Sequence, residues 1–284
     1  MQGMSVLCAT DFGEEAGRAA EVAVVMARRI GEPLVLVHAL LPEPIAAESG
    51  APPRASLAAA AEASMVFERL RLARAGVEIE TRVGIGSPES VVPHLATQEN
   101  ARLVVCGAHG RSGIARGLLG STAARLSRIC PAPVLVVRGA IDGFLAWGQG
   151  DRPLRVLVAF DLDETFDAEM DFAEGLLEAG PCELEFLHTQ NSPSVREREF
   201  ARLAADERSL HLVPGSPAEE VGKRVRDGRF DLVVVGTHAR RGTSRLWHPS
   251  IAERILRHST TAVAVARMGT SLRPPAWENT GISL

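Results

Sequence analysis

The fold is decided by the stretch Leu103-Val-Val-Cys-Gly-Ala-His-Gly-Arg-Ser-Gly-Ile-Ala-Arg-Gly-Leu-Leu-Gly-Ser-Thr122. Its apolar start predicts a buried strand, and its glycine-bearing middle predicts a loop that leads into a helix. Glycines let backbone N–H groups approach an anion without obstruction by a Cβ, and the first turn of a helix supplies free N–H donors. The stretch therefore predicts a phosphate site. It is not a Walker A loop, because no Gly-Lys-Ser/Thr follows the glycines.

Strand and helix patterns alternate on both sides of this stretch. Apolar runs predict further strands over residues 5–11, 34–39, 77–83 and 133–137, and amphipathic patterns predict helices over 14–30 and 56–75 and from residue 88. Strands that alternate with helices and are continuously apolar are typical of a parallel sheet covered on both faces. The first half of the chain is therefore predicted to be a doubly wound α/β domain.

The second half of the chain repeats the first. Val156-Leu-Val-Ala-Phe-Asp161 follows the pattern of Val6-Leu-Cys-Ala-Thr-Asp11, 150 residues later. Leu232-Val-Val-Val-Gly-Thr-His238 follows the pattern of Leu103-Val-Val-Cys-Gly-Ala-His109, 129 residues later. We expect one domain over residues 1–140, a linker over 141–153, a second domain over 154–268 and an irregular tail over 269–284.

Composition narrows the function. The net charge of −4 argues against a dedicated nucleic-acid binder, whose affinity would come from clustered Lys and Arg. No apolar run is long enough to cross a bilayer, so we expect no membrane partner and a cytoplasmic protein. The four cysteines are scattered in the sequence, and Cys8 and Cys106 lie in apolar strand runs, where a cysteine is usually a small buried hydrophobe. The histidines show no metal-ligand spacing.

Several motifs together resemble the universal stress protein family. They are the opening Val-Leu-x-Ala-x-Asp, the second strand ending in Val37-His38, the helix start at Gly86-Ser-Pro88, and Gly107-x-x-Gly110 followed after nine residues by Gly120-Ser121. The resemblance covers residues 4–140 and 154–268. It implies two tandem doubly wound domains, each a five-stranded parallel sheet between helices, similar to the Rossmann-like adenine-nucleotide α-hydrolases. It also implies ATP or another adenine nucleotide at the carboxyl ends of the strands. We expect Mg²⁺ as a phosphate-bound companion, because this ion usually keeps several waters and few protein ligands.

The resemblance also implies which residues of the first domain contact the nucleotide. The adenosine would lie against the end of the first strand and the end of the second, and the phosphates against the glycine loop and the helix start. These residues are Ala9, Thr10, Asp11, Ala39, Gly107, Gly110, Gly120, Ser121 and Thr122. His109 and Arg111 lie inside the phosphate loop, where a cation would screen phosphate charge, and they complete the predicted site. Family members often have a proline where Ala9 stands.

Three polar residues in or next to the predicted site also have a purely structural interpretation. Asp11 is placed to cap the first helix, and His38 is placed to be a core histidine hydrogen-bonded to the main chain. Arg111 has the alternative of being a solvated loop charge.

The second copy departs from the nucleotide pattern. Ala239 stands where Gly110 stands, and Pro249 stands where Gly120 stands. Alanine adds a Cβ at the expected phosphate position, and proline removes an N–H donor. Arg240, Arg241 and Arg245 in the same loop leave binding of an acidic ligand or of the partner domain as alternatives, although a solvated basic loop is favoured. We expect this domain to bind ATP weakly or not at all.

The leading hypothesis is an ATP-binding regulatory stress protein without metabolic catalysis. One alternative is a slow ATPase or related adenine-nucleotide enzyme, although the first strand lacks the Ser-Gly-Gly-x-Asp-Ser loop of the ligases on this fold. Another alternative is a nucleotide-free scaffold. The closing strands at 134–137 and 262–266 would be sheet edges, which invite pairing. Since these strands mediate dimerisation in the family, we expect an intramolecular pseudo-dimer, and a homodimer of the whole chain is left open.

Overall fold

The computed structural model describes residues 4–41, 54–73, 76–110, 119–160, 166–189, 210–237 and 251–272. The strands are β1 (Ser5–Ala9), β2 (Leu34–Leu40), β3 (Ile79–Ile85), β4 (Ala101–Gly107), β5 (Val134–Val137), β6 (Leu154–Ala159), β7 (Cys182–Thr189), β8 (Leu210–Val213), β9 (Leu232–Thr237) and β10 (Ala262–Arg267). The helices are α1 (Glu14–Ile30), α2 (Arg54–Leu72), α3 (Pro88–Gln98), α4 (Ser121–Ile129), α5 (Asp142–Gln149), α6 (Phe166–Ala179), α7 (Pro217–Val225) and α8 (Ile251–His258).

These strands form one continuous sheet in the order β3-β2-β1-β4-β5-β10-β9-β6-β7-β8. The strands within each half are parallel, and the two halves repeat the same strand order outward from the middle. The predicted fold class of two tandem doubly wound domains, each with a five-stranded parallel sheet, is confirmed.

The two halves join through the antiparallel pairing of β5 with β10. Leu135 pairs with Ala264, and these two residues occupy the same position in the two copies of the repeat. The pairing is therefore close to twofold symmetric about this residue pair. Because the central pair is antiparallel, the carboxyl ends of the strands in the two halves point to opposite edges of the sheet.

The strands in the middle of the sheet are buried on both faces, as a parallel sheet between helices requires, whereas β3 and β8 at its edges are only partly buried. Val6 and Cys8 of β1 belong to one apolar layer, which contains α1, and Leu7 belongs to the opposite layer, which contains α3 and α4. Residues of both halves contribute to each layer, so the two domains share their cores. The helix α1 ends at Gly31, whose φ of 73° is the left-handed conformation that favours glycine after a helix.

The predicted linker is a folded element rather than a loose connection. Residues 142–149 form α5, whose Phe144 and Trp147 are fully buried. The guanidinium of Arg29 lies 5.0 Å from the centre of the Trp147 ring, and Arg28 and Arg29 donate hydrogen bonds to main-chain carbonyls of α5. The linker therefore packs tightly on α1, more fully than the sequence predicts.

Two equivalent arginines cross between the halves. Arg138, directly after β5, donates to the carbonyl of Leu256 near the end of α8, and Arg267, at the end of β10, donates to the carbonyl of Arg128 near the end of α4. A cation at a helix C-terminus satisfies unpaired carbonyls and complements the helix dipole. Burial lowers the pKa of both guanidinium groups. Each half therefore supplies one arginine that contacts the end of a helix in the other half.

The first residues of the predicted tail pack back onto the domains. Leu272 is 1% exposed, its carbonyl accepts a hydrogen bond from Arg102 at 3.1 Å, and its side chain lies against Gly175 of α6. Residues 273–284 lie outside the described part of the chain.

Candidate functional site

The predicted nucleotide contacts of the first half converge on one cleft of about 450 Å³ at the carboxyl ends of β1, β2 and β4. Those that line it are Ala9, Thr10, Asp11, Ala39, Gly107, His109, Gly110, Gly120, Ser121 and Thr122. Arg111 lies outside the described residues. Segments far apart in the sequence are thus brought to one place, where open α/β sheets bind their ligands.

One end of the cleft is a tightly hydrogen-bonded turn after β1. The hydroxyl of Thr10 accepts from the N–H of Phe12 at 3.0 Å, and the Asp11 Oδ1 accepts from the N–H of Gly13 at 2.9 Å. Phe12 holds φ at 62°, an uncommon conformation for a residue with a side chain. Asp11 therefore forms an Asx turn just before α1, lines the cleft, and does not cap the helix, because no described side chain bonds to the amides after the N-cap residue Gly13.

His38 is a structural residue at the same corner. Its Nδ1–H donates to the Thr10 carbonyl at 2.8 Å, and its ring packs on Phe12 with 4.5 Å between centroids. A carbonyl only accepts, so this bond places a proton on Nδ1. The interpretation of His38 as a histidine bound to main chain is the one that the structure supports.

The other end of the cleft is the start of α4. Gly120 is the N-cap residue, no side chain caps the helix, and no acidic residue lies in its first turn. The first amides of a helix have no partner within the helix and carry the positive end of its dipole. A Cβ on Gly120 would lie 2.8 Å from the Ala108 carbonyl oxygen, so the loop can pack in this way only with glycine.

The other two glycines of the motif make room for neighbouring groups. A Cβ on Gly107 would lie 3.1 Å from the main-chain carbon of Glu15, so Gly107 lets β4 approach the first turn of α1. A Cβ on Gly110 would lie 3.1 Å from the Asp11 Oδ2. The glycine loop therefore packs closely against both α1 and the turn after β1.

His109 is a polar side chain inside the cleft. Its Nδ1 lies 3.7 Å from the Glu15 Oε2, and its Nε2 is buried with no hydrogen-bond partner within the described ranges. A buried ring nitrogen without a partner is costly, and a ligand oxygen would relieve that cost.

The equivalent position of the second half holds a smaller cavity of about 160 Å³. Ile251 replaces Thr122 there, and Phe160 replaces Thr10. The carboxylate of Glu169 is 2% exposed, lines the cavity, and accepts from the Gly236 N–H at 2.7 Å. Residues 238–250, which carry Ala239, Pro249 and the three arginines, lie outside the described part of the chain.

The sequence also matches a known protein family. The model of the universal stress protein family matches residues 4–138 and 151–267. The chain belongs to the universal stress protein family. A universal stress protein of Archaeoglobus fulgidus superposes over 93% of this chain and 96% of its own, with a TM-score of 0.71 at 17% identity, which is a likeness of fold.

Two further relatives match only part of the chain. A universal stress protein relative of Staphylococcus saprophyticus is 42% identical over 66 residues, which are 22% of this chain and 40% of the relative. The match thus spans less than half of that relative's length. A universal stress protein solved in complex with cAMP is 27% identical, covers 49% of this chain and 99% of its own, and has a TM-score of 0.40.

Some cleft residues of this universal stress protein are not found by sequence reasoning. They are Ala16, Val37, Leu41, Pro88, Val92, Cys106, Ala108 and Ala123. Pro88 carries a detectable signal, because the Gly-Ser-Pro helix start is one of the repeated motifs. Leu41 lies at the cleft 65% exposed and follows a strand without any motif to distinguish it.

The cysteines of this universal stress protein are buried or partly buried thiols. Cys8, Cys106 and Cys130 are buried, and burial raises the pKa of Cys106 and of Cys130 to about 12. Among the residues that the structure describes, no group of three His, Cys, Asp or Glu side chains is placed to hold a metal ion. None of the described helices has the length and apolar character of a membrane span.

Proposed function

We propose that the first half of this universal stress protein binds ATP as a regulatory ligand in the cleft of the first domain. The observation that carries the proposal is the convergence of the turn after β1, the end of β2, the glycine loop and the start of α4 on one cleft of about 450 Å³. This size falls within the range of small-molecule sites.

The chemistry of the lining suits the parts of the nucleotide. The turn at Ala9–Asp11 and the end of β2 at Ala39 offer main-chain groups and one carboxylate to the adenosine. The uncapped start of α4 offers amides to the phosphates, and His109 Nε2 is a further group that a phosphate oxygen would pair. Asp11, Ser121 and Thr122 are oxygen donors of the kind that Mg²⁺ uses beside phosphates and water.

The lining favours binding over rapid catalysis. Of the described residues in the cleft, Asp11 is the carboxylate, and its Oδ1 accepts a hydrogen bond at the start of α1. The imidazole of His109 lies beside the Glu15 carboxylate and forms no pair with a nucleophilic side chain in the described part of the chain. Hydrolysis by a base needs a group within hydrogen-bond reach of the attacking water. We therefore expect ATP turnover to be slow.

The second half is proposed not to bind ATP. Ile251 and Phe160 remove two hydroxyls from the equivalent cavity, whose volume of about 160 Å³ is near a third of that of the first cleft. This domain serves as the pairing partner of the first through β5 and β10.

The proposal is tested by calorimetric titration of the whole chain with ATP. Wild type is expected to bind one ATP. Gly120→Ala, which forces a Cβ against the Ala108 carbonyl, is expected to weaken binding at least about tenfold, the effect of losing one hydrogen bond to a charged group. The matched control is Gly222→Ala, where a Cβ meets nothing within 4 Å, and it should bind like wild type.

Three results would contradict parts of this proposal. Absence of ATP binding by wild type would favour a scaffold without nucleotide. Two bound ATP molecules would overturn the assignment of the second half. Phosphate release faster than about a few per minute, a threshold below the roughly 1 s⁻¹ at which typical enzyme turnover begins, would favour the ATPase alternative.

A further inference from the structure

The second cavity is a separate, chemically different feature at the place of the first cleft. Its wall is mainly apolar, formed by Phe160, Leu187, Val235, Ile251 and Ile255. Polar groups are confined to a few positions, of which the buried carboxylate of Glu169 is the charged one within the described lining. The position of Glu169 in the repeat corresponds to Ala19 in α1 of the first half. The second half thus has apolar side chains where the first half has two threonine hydroxyls, and a carboxylate where the first half has a buried alanine methyl.

We infer that this second cavity is a binding site for a small neutral aromatic molecule that carries an N–H donor and no phosphate. The ring lies among the apolar side chains, and its N–H donates to the Glu169 carboxylate. The inference does not depend on ATP binding in the first half.

The volume sets the size of the ligand. An apolar cavity of about 150 Å³ in another protein binds benzene. The second cavity, at about 160 Å³, has room for one aromatic ring or a compact fused pair, but not for a sugar and a chain of phosphates. Of these two described sites, the first cleft, at about 450 Å³, has room for a whole nucleotide.

The aromatic residues at one wall favour a planar ligand. Phe160 stacks on His188 with 5.3 Å between ring centroids and meets Phe186 edge to face at 6.3 Å. The His188 Nδ1–H donates to the Phe160 carbonyl at 3.0 Å, which fixes the orientation of the imidazole. Aromatic rings pack best on other aromatic rings in offset or edge-to-face geometry.

The carboxylate sets the polarity of the ligand. A carboxylate offers several acceptor positions on its two oxygens, and Oε1 of Glu169 accepts from the Gly236 N–H at 2.7 Å. A ligand N–H is a complementary donor, whereas a phosphate brought beside the same carboxylate would be repelled. The site therefore selects for the donor group and against anions.

The test uses indole as the probe and benzofuran, its isostere without an N–H, as the matched comparison. Saturation-transfer NMR and calorimetric titration of the whole chain should show one saturable indole site. Benzofuran should bind at least about tenfold more weakly, because the hydrogen bond to a charged acceptor is lost. Excess ATP should leave the affinity for indole unchanged. This comparison needs no variant.

A matched pair of substitutions locates the site. Ala252 and Ala123 are equivalent residues that line the second cavity and the first cleft. Ala252→Leu should abolish indole binding and keep ATP binding, and Ala123→Leu should do the opposite. The near-UV circular dichroism of Ala252→Leu, compared with that of wild type, shows independently of ATP whether the variant is folded.

The inference is overturned by any of several outcomes. They are the absence of saturable indole binding up to the millimolar range, about the weakest affinity of a specific site; equal affinity for benzofuran; displacement of indole by ATP; and indole binding that persists in folded Ala252→Leu. Loss of ATP binding with intact indole binding would overturn only the function proposed for the first half.

Discussion

His38 and His188 occupy the same position in the two halves and make the same bond. Each donates from Nδ1 to a carbonyl 28 residues earlier, that of Thr10 or of Phe160. The spacing of the repeat predicts their equivalence from the sequence. Their role is less accessible, because a histidine after a strand suits either a ligand contact or a main-chain bond, and only the position of the turn after β1 decides between them.

Asp231 is a largely buried carboxylate, with 9% of its side chain exposed, at which a dependence of stability on pH is expected. Arg152 donates two hydrogen bonds to it, at 2.7 and 2.8 Å, and the Arg155 N–H donates a third at 3.0 Å. Burial alone would raise the pKa of this carboxyl, but the hydrogen bonds from Arg152 and Arg155 hold it below its ordinary value. The charged form is therefore stabilised by folding.

Asp231→Asn is predicted to lower the free energy of unfolding by about 1–3 kcal/mol at neutral pH, the cost of weakening a buried charged hydrogen-bond group. Since the pKa is lowered on folding, the advantage of wild type is complete above about pH 4, the unfolded value, and shrinks as the pH falls through the folded value. Urea unfolding at a series of pH values measures it. Asp227→Asn, at an exposed aspartate nearby, is the control and should show little change. An equal deficit at all pH values would contradict the prediction.

The elements differ in how well the sequence predicts them. The bounds of α1 agree with the predicted range because local signals mark both ends, with acids in its first turn and Gly31 after its last. The helix α5 is not predicted, since a segment of eight residues with two glycines has little helical tendency of its own. It is stabilised by burial of Phe144 and Trp147, which is a tertiary effect that no local pattern records.

The residues of the two ligand cavities also differ in how well the sequence predicts them. The glycine positions are predictable because close approaches exclude a Cβ, and the helix start at Gly120 is predictable from its motif. Glu169 is not predictable, since a glutamate within an amphipathic helix is expected on the solvated face. Its burial follows from the packing of α6 against β9, where Gly236 supplies a donor.

Trp147→Ala is predicted to lower the free energy of unfolding by about 3–5 kcal/mol, because it removes a fully buried aromatic ring and leaves a cavity. Chemical denaturation of the purified chain measures the change. The matched control is Phe67→Ala on α2, where the ring is 70% exposed, and its effect should stay within about 0.5 kcal/mol. A cost at position 147 as small as that of the control would show that α5 is a dispensable connection.

At the scale of the whole molecule, the shared sheet and shared cores make the two halves one cooperative unit. We predict a single calorimetric unfolding transition for wild type, with equal calorimetric and van't Hoff enthalpies. Replacing Arg138 and Arg267 together by alanine removes both reciprocal contacts and should lower the midpoint or split the transition. Arg125 and Arg257, whose side chains are 59% and 52% exposed, form the control double variant. Two separate transitions in wild type would contradict the prediction.

The antiparallel pairing of β5 with β10 has a consequence for how the two halves can diverge. In an assembly of identical chains, every inherited substitution alters both subunits at once, so neither can specialise alone. Covalent fusion breaks that constraint and keeps the partner present at any dilution. The hydroxyl-bearing cleft in one half and the acid-bearing cavity in the other are the kind of division of labour that such a fusion permits.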